Sequence, residues 1–251
     1  MAEEFGWSEA VSAFVGATFA FAVDWIRAKQ DRHREEADKA NQALLSLAQM
    51  YTSLQNIWDQ VYAEPLKIAQ AQKRPLFPPE VHAMSRMPDE ASGLDVPSLS
   101  FLLRSRDVDL TNRLSVVAST FRQILVTETV RSELHLEMQG KMEAAGHLPD
   151  ARYLIEEVQK VCGPKLWHQL MATTNGQLAA IPQAISDILT VQGQTVEVLK
   201  YEFPSRRFVK FERRHLEANA RLPSATSLPA PALWRRATRR IFDWHRKRPK
   251  V

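Results

Sequence analysis

The chain has 251 residues, 45% of them apolar and 25% charged, which is the balance of a chain that folds around its own core and excludes a disordered or fibrous one. Its single cysteine, Cys162, excludes an intrachain disulfide and fits a reducing compartment. The net charge of +4 divides unevenly: residues 200–251 hold 15 Lys/Arg against 4 Asp/Glu, and residues 1–199 hold 18 against 25, so a basic tail on an acidic body calls for an acidic partner.

Glycine is scarce, β-branched runs of period two are absent, and Leu, Ala, Gln, Glu and Arg fill the long segments. That composition predicts an all-α fold. The first element is an uncharged run from Ala10 to Val23, with Gly16 its one helix-weakening residue. Extended to Trp7 and Ile26 it reaches about 20 residues, the length of a transmembrane helix, with Glu9 and Asp24 near its ends. Trp7 and Trp25 stand about 27 Å apart along such a helix, at the spacing of the two membrane interfaces that tryptophan prefers. No Lys or Arg precedes Arg27; Arg27, Lys29, Arg32 and Arg34 then follow closely. This asymmetry predicts an extracytoplasmic N-terminus (1–9), a single-pass transmembrane helix (10–26) and a cytoplasmic body at the cell (inner) membrane. Trp7, Trp25, Arg27 and Lys29 are its candidate interface residues.

Two other readings compete for so short a run. Ala20-Phe21-Ala22 resembles a signal-peptide cleavage site, but the segment before it carries three glutamates and no Lys or Arg, the wrong charge for a signal peptide. A buried helix of a soluble bundle is the other. Ser12, Gly16 and Ala20, spaced by four, form a small face through which membrane helices could self-associate.

The helix should run on into the body. Ala37, Ala40, Leu44, Leu47, Tyr51, Leu54, Trp58 and Val61 follow alternating steps of three and four, a heptad repeat. Pro65 should disturb or end the helix. Prolines 75, 78, 79, 88 and 97 mark a loop over 75–97, and Leu99 to Leu103 a short apolar helix. A second long helix, capped at Asp107 or Asp109, carries Leu110, Leu114, Val117, Phe121 and Ile124 and should end near Gly140. After a turn at 146–150, a helix capped by Asp150 should stop at Gly163. Pro164 fits the first turn of the last long helix, with Leu166, Leu170, Leu178, Ile181, Ile185, Ile188, Val196 and Leu199 on one stripe, a kink at Pro182 and an end at Pro204.

Long helices at about 28–64, 107–140 and 164–202 predict an antiparallel bundle within one chain over 27–203; a parallel coiled coil between chains is the alternative for 37–61. In that up-down-up order Phe203 lies at the end of the bundle far from the membrane. Residues 204–231 read as a basic segment and linker. Residues 232–251 read as a basic amphipathic helix: Trp234 and Trp244 mark the apolar side, and Arg235, Arg236, Arg239 and Arg240 lie opposite. Such helices lie on anionic membrane surfaces, or bind acidic protein grooves or nucleic acid.

No pattern for catalysis appears. The seven histidines form no His-x-x-x-His or His-Glu-x-x-His, the lone Glu212-Arg-Arg-His215 sits in a basic segment, and no phosphate loop exists. Glu156-Glu157 reads as a solvated pair, and Cys162 as a small residue near a helix end. The sequence therefore predicts a membrane-anchored cytoplasmic scaffold, adaptor or sensor without catalytic activity, metal or other cofactor. Its expected partners are the lipid bilayer and another protein, with self-association through the transmembrane helix possible and nucleic acid disfavoured. The alternative is a soluble basic protein that binds nucleic acid through its C-terminal arm.

Overall fold

The computed structural model describes residues 7–84, 94–104, 109–147 and 155–208, all within one compact unit of the chain. Helices α1 (Trp7–Ile57), α2 (Glu64–Ala71), α3 (Asp109–Ala144) and α4 (Ile155–Glu202) pack against one another, and no strand occurs among the described residues. The fold is all-helical, as its composition requires.

Local chemistry sets the helix ends. α1 runs on as one helix from the apolar segment into the heptad region. Pro65 does not stop the helix there: residues Trp58–Ala63 widen into a π-helical turn that runs on into α2, which carries Pro65 in its first turn. α2 ends in a Schellman motif, with Lys73 at φ 53° and the Arg74 and Lys73 amides returning to the Ala69 and Gln70 carbonyls. α3 passes through Gly140 instead of ending there. Its stop is Gly146, at φ 82°, where His147 and Gly146 donate to Met142 and Glu143 in the same motif. Helical turns lie on both sides of Gly163, which breaks the dihedral pattern at φ 78° and ψ 161°. Inside α4 the non-helical φ/ψ falls at Gly163, and Pro182 lies within the helix. Pro204 follows the end of α4, as expected.

The periodic stripes form the core. Ala37, Ala40, Leu44, Leu47, Leu54, Trp58 and Val61 are buried within this one chain, and Tyr51 is half-buried. Leu110, Leu114, Val117, Phe121 and Ile124 are buried on α3. On α4 the seam runs through Thr174 and Gln177, leaving Leu178 only partly covered. Beyond it Met138, Met142, Val158, Cys162, Leu166 and Leu170 close a separate cluster between α3 and α4.

The helix order differs from the expected up-down-up arrangement. α4 lies between α1 and α3 and runs antiparallel to both. His33 of α1 meets Phe203 at 4.5 Å between ring centroids, and Phe101 meets Phe203 at 5.9 Å. Further along, Tyr62 and Gln177 both reach α3 near Glu128. α1 and α3 are therefore parallel, because the long connection between them brings the chain back to the end of the bundle where α1 enters. Phe203 lies at that near end, not the far one.

Candidate functional site

Among the described residues, two places depart from ordinary helical packing. The first is the N-terminal half of α1. The core begins at Ala37; from Ser12 to Glu35 every side chain is exposed except the half-buried Val23. Phe14 is 74% exposed and Phe21 79%, and Val15, Phe19, Trp25 and Ile26 are also open. At about 100° per residue, Phe14, Phe21 and Trp25 share one side of the helix with Thr18, and Ser12, Gly16 and Ala20 lie opposite. A side chain added at Gly16 would meet nothing within 4 Å, so the small face is open at that position.

The expected transmembrane helix 10–26 falls in this half, but no helix among the described residues is long and apolar enough to cross a membrane. The reason is visible in the residues. Ser12, Gly16, Thr18 and several alanines dilute the large side chains, and Asp24 and Arg27 bring charge back within the span. Trp7 opens α1, and its side chain lies outside the described residues.

The basic cluster follows directly. Arg27 pairs with Asp24 at 4.0 Å and Arg34 with Asp31 at 3.7 Å. Lys29 places its Nζ 5.4 Å from the Trp25 ring centroid, and the Arg32 Nε donates to the Ala28 carbonyl at 3.3 Å. Among the described residues, neither Lys29 nor Arg32 forms an ion pair. Both line a groove of about 780 Å³ at the foot of the projecting helix, with Trp25, Ile26, His33 and Glu36 beside them and Phe101, Glu202 and Phe203 on the bundle side. Leu103, 54% exposed, lies in the same short 3-10 segment as Phe101.

The second place is a polar centre inside the bundle that sequence reading missed. Glu128 and Arg131 are 0% exposed and one helical turn apart. The Arg131 Nε and Nη2 donate to Glu128 Oε1 at 2.9 and 2.6 Å, and Nη1 and Nη2 donate to the carbonyls of Val81 and His82 at 2.9 and 2.7 Å. Tyr62 donates to Glu128 Oε2 at 2.6 Å, and Gln177 Nε2 to the Ile124 carbonyl at 2.8 Å. The Arg131 guanidinium also lies 5.6 Å from the Tyr62 ring centroid, and the Met84 amide donates to Ser132 Oγ at 3.1 Å. Burial, and next the Glu128 charge, push the Tyr62 hydroxyl far above its ordinary value. His135 is held down to about 4, by burial first and then by the charges of Arg131 and His82.

This centre ties the π turn, the 75–84 strap, α3 and α4 together. The Arg131 guanidinium, the Glu128 carboxylate and the Tyr62 hydroxyl are hydrogen-bonded within it, which is the condition for burying charge at all, while His135 Nδ1 is buried without a hydrogen-bond partner. Among the described residues no group of three His, Cys, Asp or Glu could hold a metal ion. Cys162 is buried in the α3–α4 cluster and its thiol is pushed up by that burial, the opposite of an activated nucleophile. Trp234, Arg235, Arg236, Arg239, Arg240 and Trp244 lie outside the described residues.

No protein-family model, curated protein or solved structure matches the chain.

Proposed function

We propose that this chain is a non-catalytic helical scaffold or adaptor, attached to a lipid bilayer by the projecting half of α1 and offering its bundle to another protein. The observation that carries the reading is that Phe14, Val15, Phe19, Phe21, Trp25 and Ile26 stand exposed on a helix that no core covers, and that this helix passes directly into a basic cluster. Exposed apolar surface of this extent marks a contact with an apolar phase or a partner, and the tryptophan and basic residues at its foot are those of a membrane interface.

Attachment does not require a span. From Phe14 to Ile26 the large side chains cover about 18 Å of helix, close to half of the roughly 30 Å hydrocarbon core. The basic cluster favours the cytoplasmic leaflet, whose anionic lipids attract it.

Flotation of the full chain with lipid vesicles tests this reading. The protein should float with the vesicles and resist a high-salt wash, and Phe14→Ser with Phe21→Ser should leave it at the bottom of the gradient. A chain that stays in the soluble fraction while binding DNA or RNA with a steep salt dependence would replace this reading with the nucleic-acid one.

A further inference from the structure

We infer that the groove at the foot of α1 is a binding site for the phosphate headgroup of an anionic phospholipid, whose acyl chains lie along the Phe14–Trp25 face. The inference rests on the membrane-attachment reading and adds a specific ligand to it. Three observations meet here. Phe14, Phe21, Trp25, Lys29 and Arg32 follow one another at steps of three, four or seven, so one side of α1 changes from apolar to basic at Trp25. Lys29 and Arg32 line the groove and make no ion pair among the described residues, whereas Arg27 and Arg34, on the other side of the helix, are each paired with an aspartate. The opposite wall is apolar, built from Phe101 and Phe203.

The levels also match. Phe14 to Trp25 spans about 16 Å, near the depth of one leaflet, which places Lys29 and Arg32 at the height of the phosphates. A guanidinium can take two phosphate oxygens at once and an ammonium a third. Glu36 and Glu202 also line the groove, and their charge disfavours a second anion, so one phosphate per groove is the expected occupancy.

The experiment compares the full chain with two charge-matched variants on vesicles of phosphatidylcholine alone or mixed with phosphatidylglycerol. Lys29→Gln with Arg32→Gln should weaken binding to the anionic vesicles by roughly 30-fold, at about 1 kcal/mol for each cation held near the surface, and leave binding to neutral vesicles unchanged. Arg27→Gln with Arg34→Gln removes the same charge from the other side and should change anionic binding far less. Trp25 fluorescence, read as the difference from Trp25→Phe, should be quenched more by brominated phosphatidylglycerol than by brominated phosphatidylcholine, and the excess should vanish in Lys29→Gln with Arg32→Gln. Equal losses in the two charge variants, or equal quenching by the two lipids, would overturn the groove and leave the attachment standing. Displacement of the excess by inorganic phosphate, but not by sodium chloride of equal ionic strength, would assign the groove to free phosphate and overturn the lipid. Failure to bind either vesicle would remove both readings.

Discussion

The Tyr62 hydroxyl donates to Glu128 Oε2 across 2.6 Å, joining residues 66 positions apart in the chain. The bond depends on the π-helical turn Trp58–Ala63, which directs Trp58, Val61 and Tyr62 all toward the interior. Trp58 and Tyr62 stack there at 6.0 Å with 20° between their planes. π turns are rare and usually mark a constraint on the helix; here the constraints are Pro65 just beyond and the carboxylate that Tyr62 must reach.

Tyr62→Phe should therefore destabilise the bundle by about 1.5–3 kcal/mol, the range for a hydrogen bond to a charged group. Arg131→Met should cost more, about 3–5 kcal/mol, because it strands Glu128 as a buried charge and leaves the Val81 and His82 carbonyls without their donor. Adding Glu128→Gln to Arg131→Met should recover part of that loss. Urea unfolding followed by circular dichroism gives these values and that of Glu128→Gln alone, and strict additivity of Glu128→Gln and Arg131→Met would show that the pair is not coupled.

His135 gives the bundle a pH dependence. Its imidazole titrates near 4 in the folded chain and near 6.5 when unfolded, so between those values the unfolded chain binds the additional proton. The contribution is fully present above pH 6.5 and is lost as the pH falls toward 4, by about 3 kcal/mol in all. Unfolding free energies measured at several pH values should fall more steeply for the natural chain than for His135→Phe. Parallel curves would mean that His135 is not held neutral.

Much of this architecture was legible in the sequence. The heptad from Ala37 to Val61 and the α3 stripe from Leu110 to Ile124 are buried nearly position for position, because side-chain periodicity responds directly to which face meets the core. The polar centre was not legible. Glu128, Arg131 and Gln177 belong to no sequence motif, and only the third dimension brings Tyr62 and the Val81 carbonyl to them. One clue was available: Glu128 lies in register with Leu114, Phe121 and Ile124, where a surface charge should not fall. The direction of α3 was also hidden, since periodicity says nothing about whether a long connection crosses to the next helix or returns along the bundle. The spanning helix was overread, because a length criterion accepted alanine, serine and glycine as though they were as apolar as leucine.

Two glycines of α4 should respond oppositely to alanine. Gly163 holds φ 78° and ψ 161°, a region almost reserved for glycine, and an added Cβ would meet nothing within 4 Å. The cost of Gly163→Ala is then conformational alone, about 1–3 kcal/mol. Gly176 is exposed in regular helix, also with open space around its missing Cβ, so Gly176→Ala should stabilise by about 0.5–1 kcal/mol. Thermal melts of the two variants should move in opposite directions.

Trp25 of α1 and Trp58 of the π turn that follows it separate folding from attachment. Trp58 is 7% exposed and packed on Tyr62, so Trp58→Ala removes a large buried surface and leaves a cavity, at a cost of about 3–5 kcal/mol. Trp25, 57% exposed on the projecting half of α1, contributes nothing to the core, and Trp25→Ala should change stability by less than about 0.5 kcal/mol. Its effect should appear in vesicle flotation, where the missing indole weakens hold on the interface. Stability is read from urea unfolding and attachment from the floated fraction, measured on the same preparations. A Trp25 variant that unfolds early yet floats normally would place Trp25 in a core and take it out of the attachment, whereas the expected pattern, stable and weakly attached, assigns Trp25 and Trp58 to two different tasks.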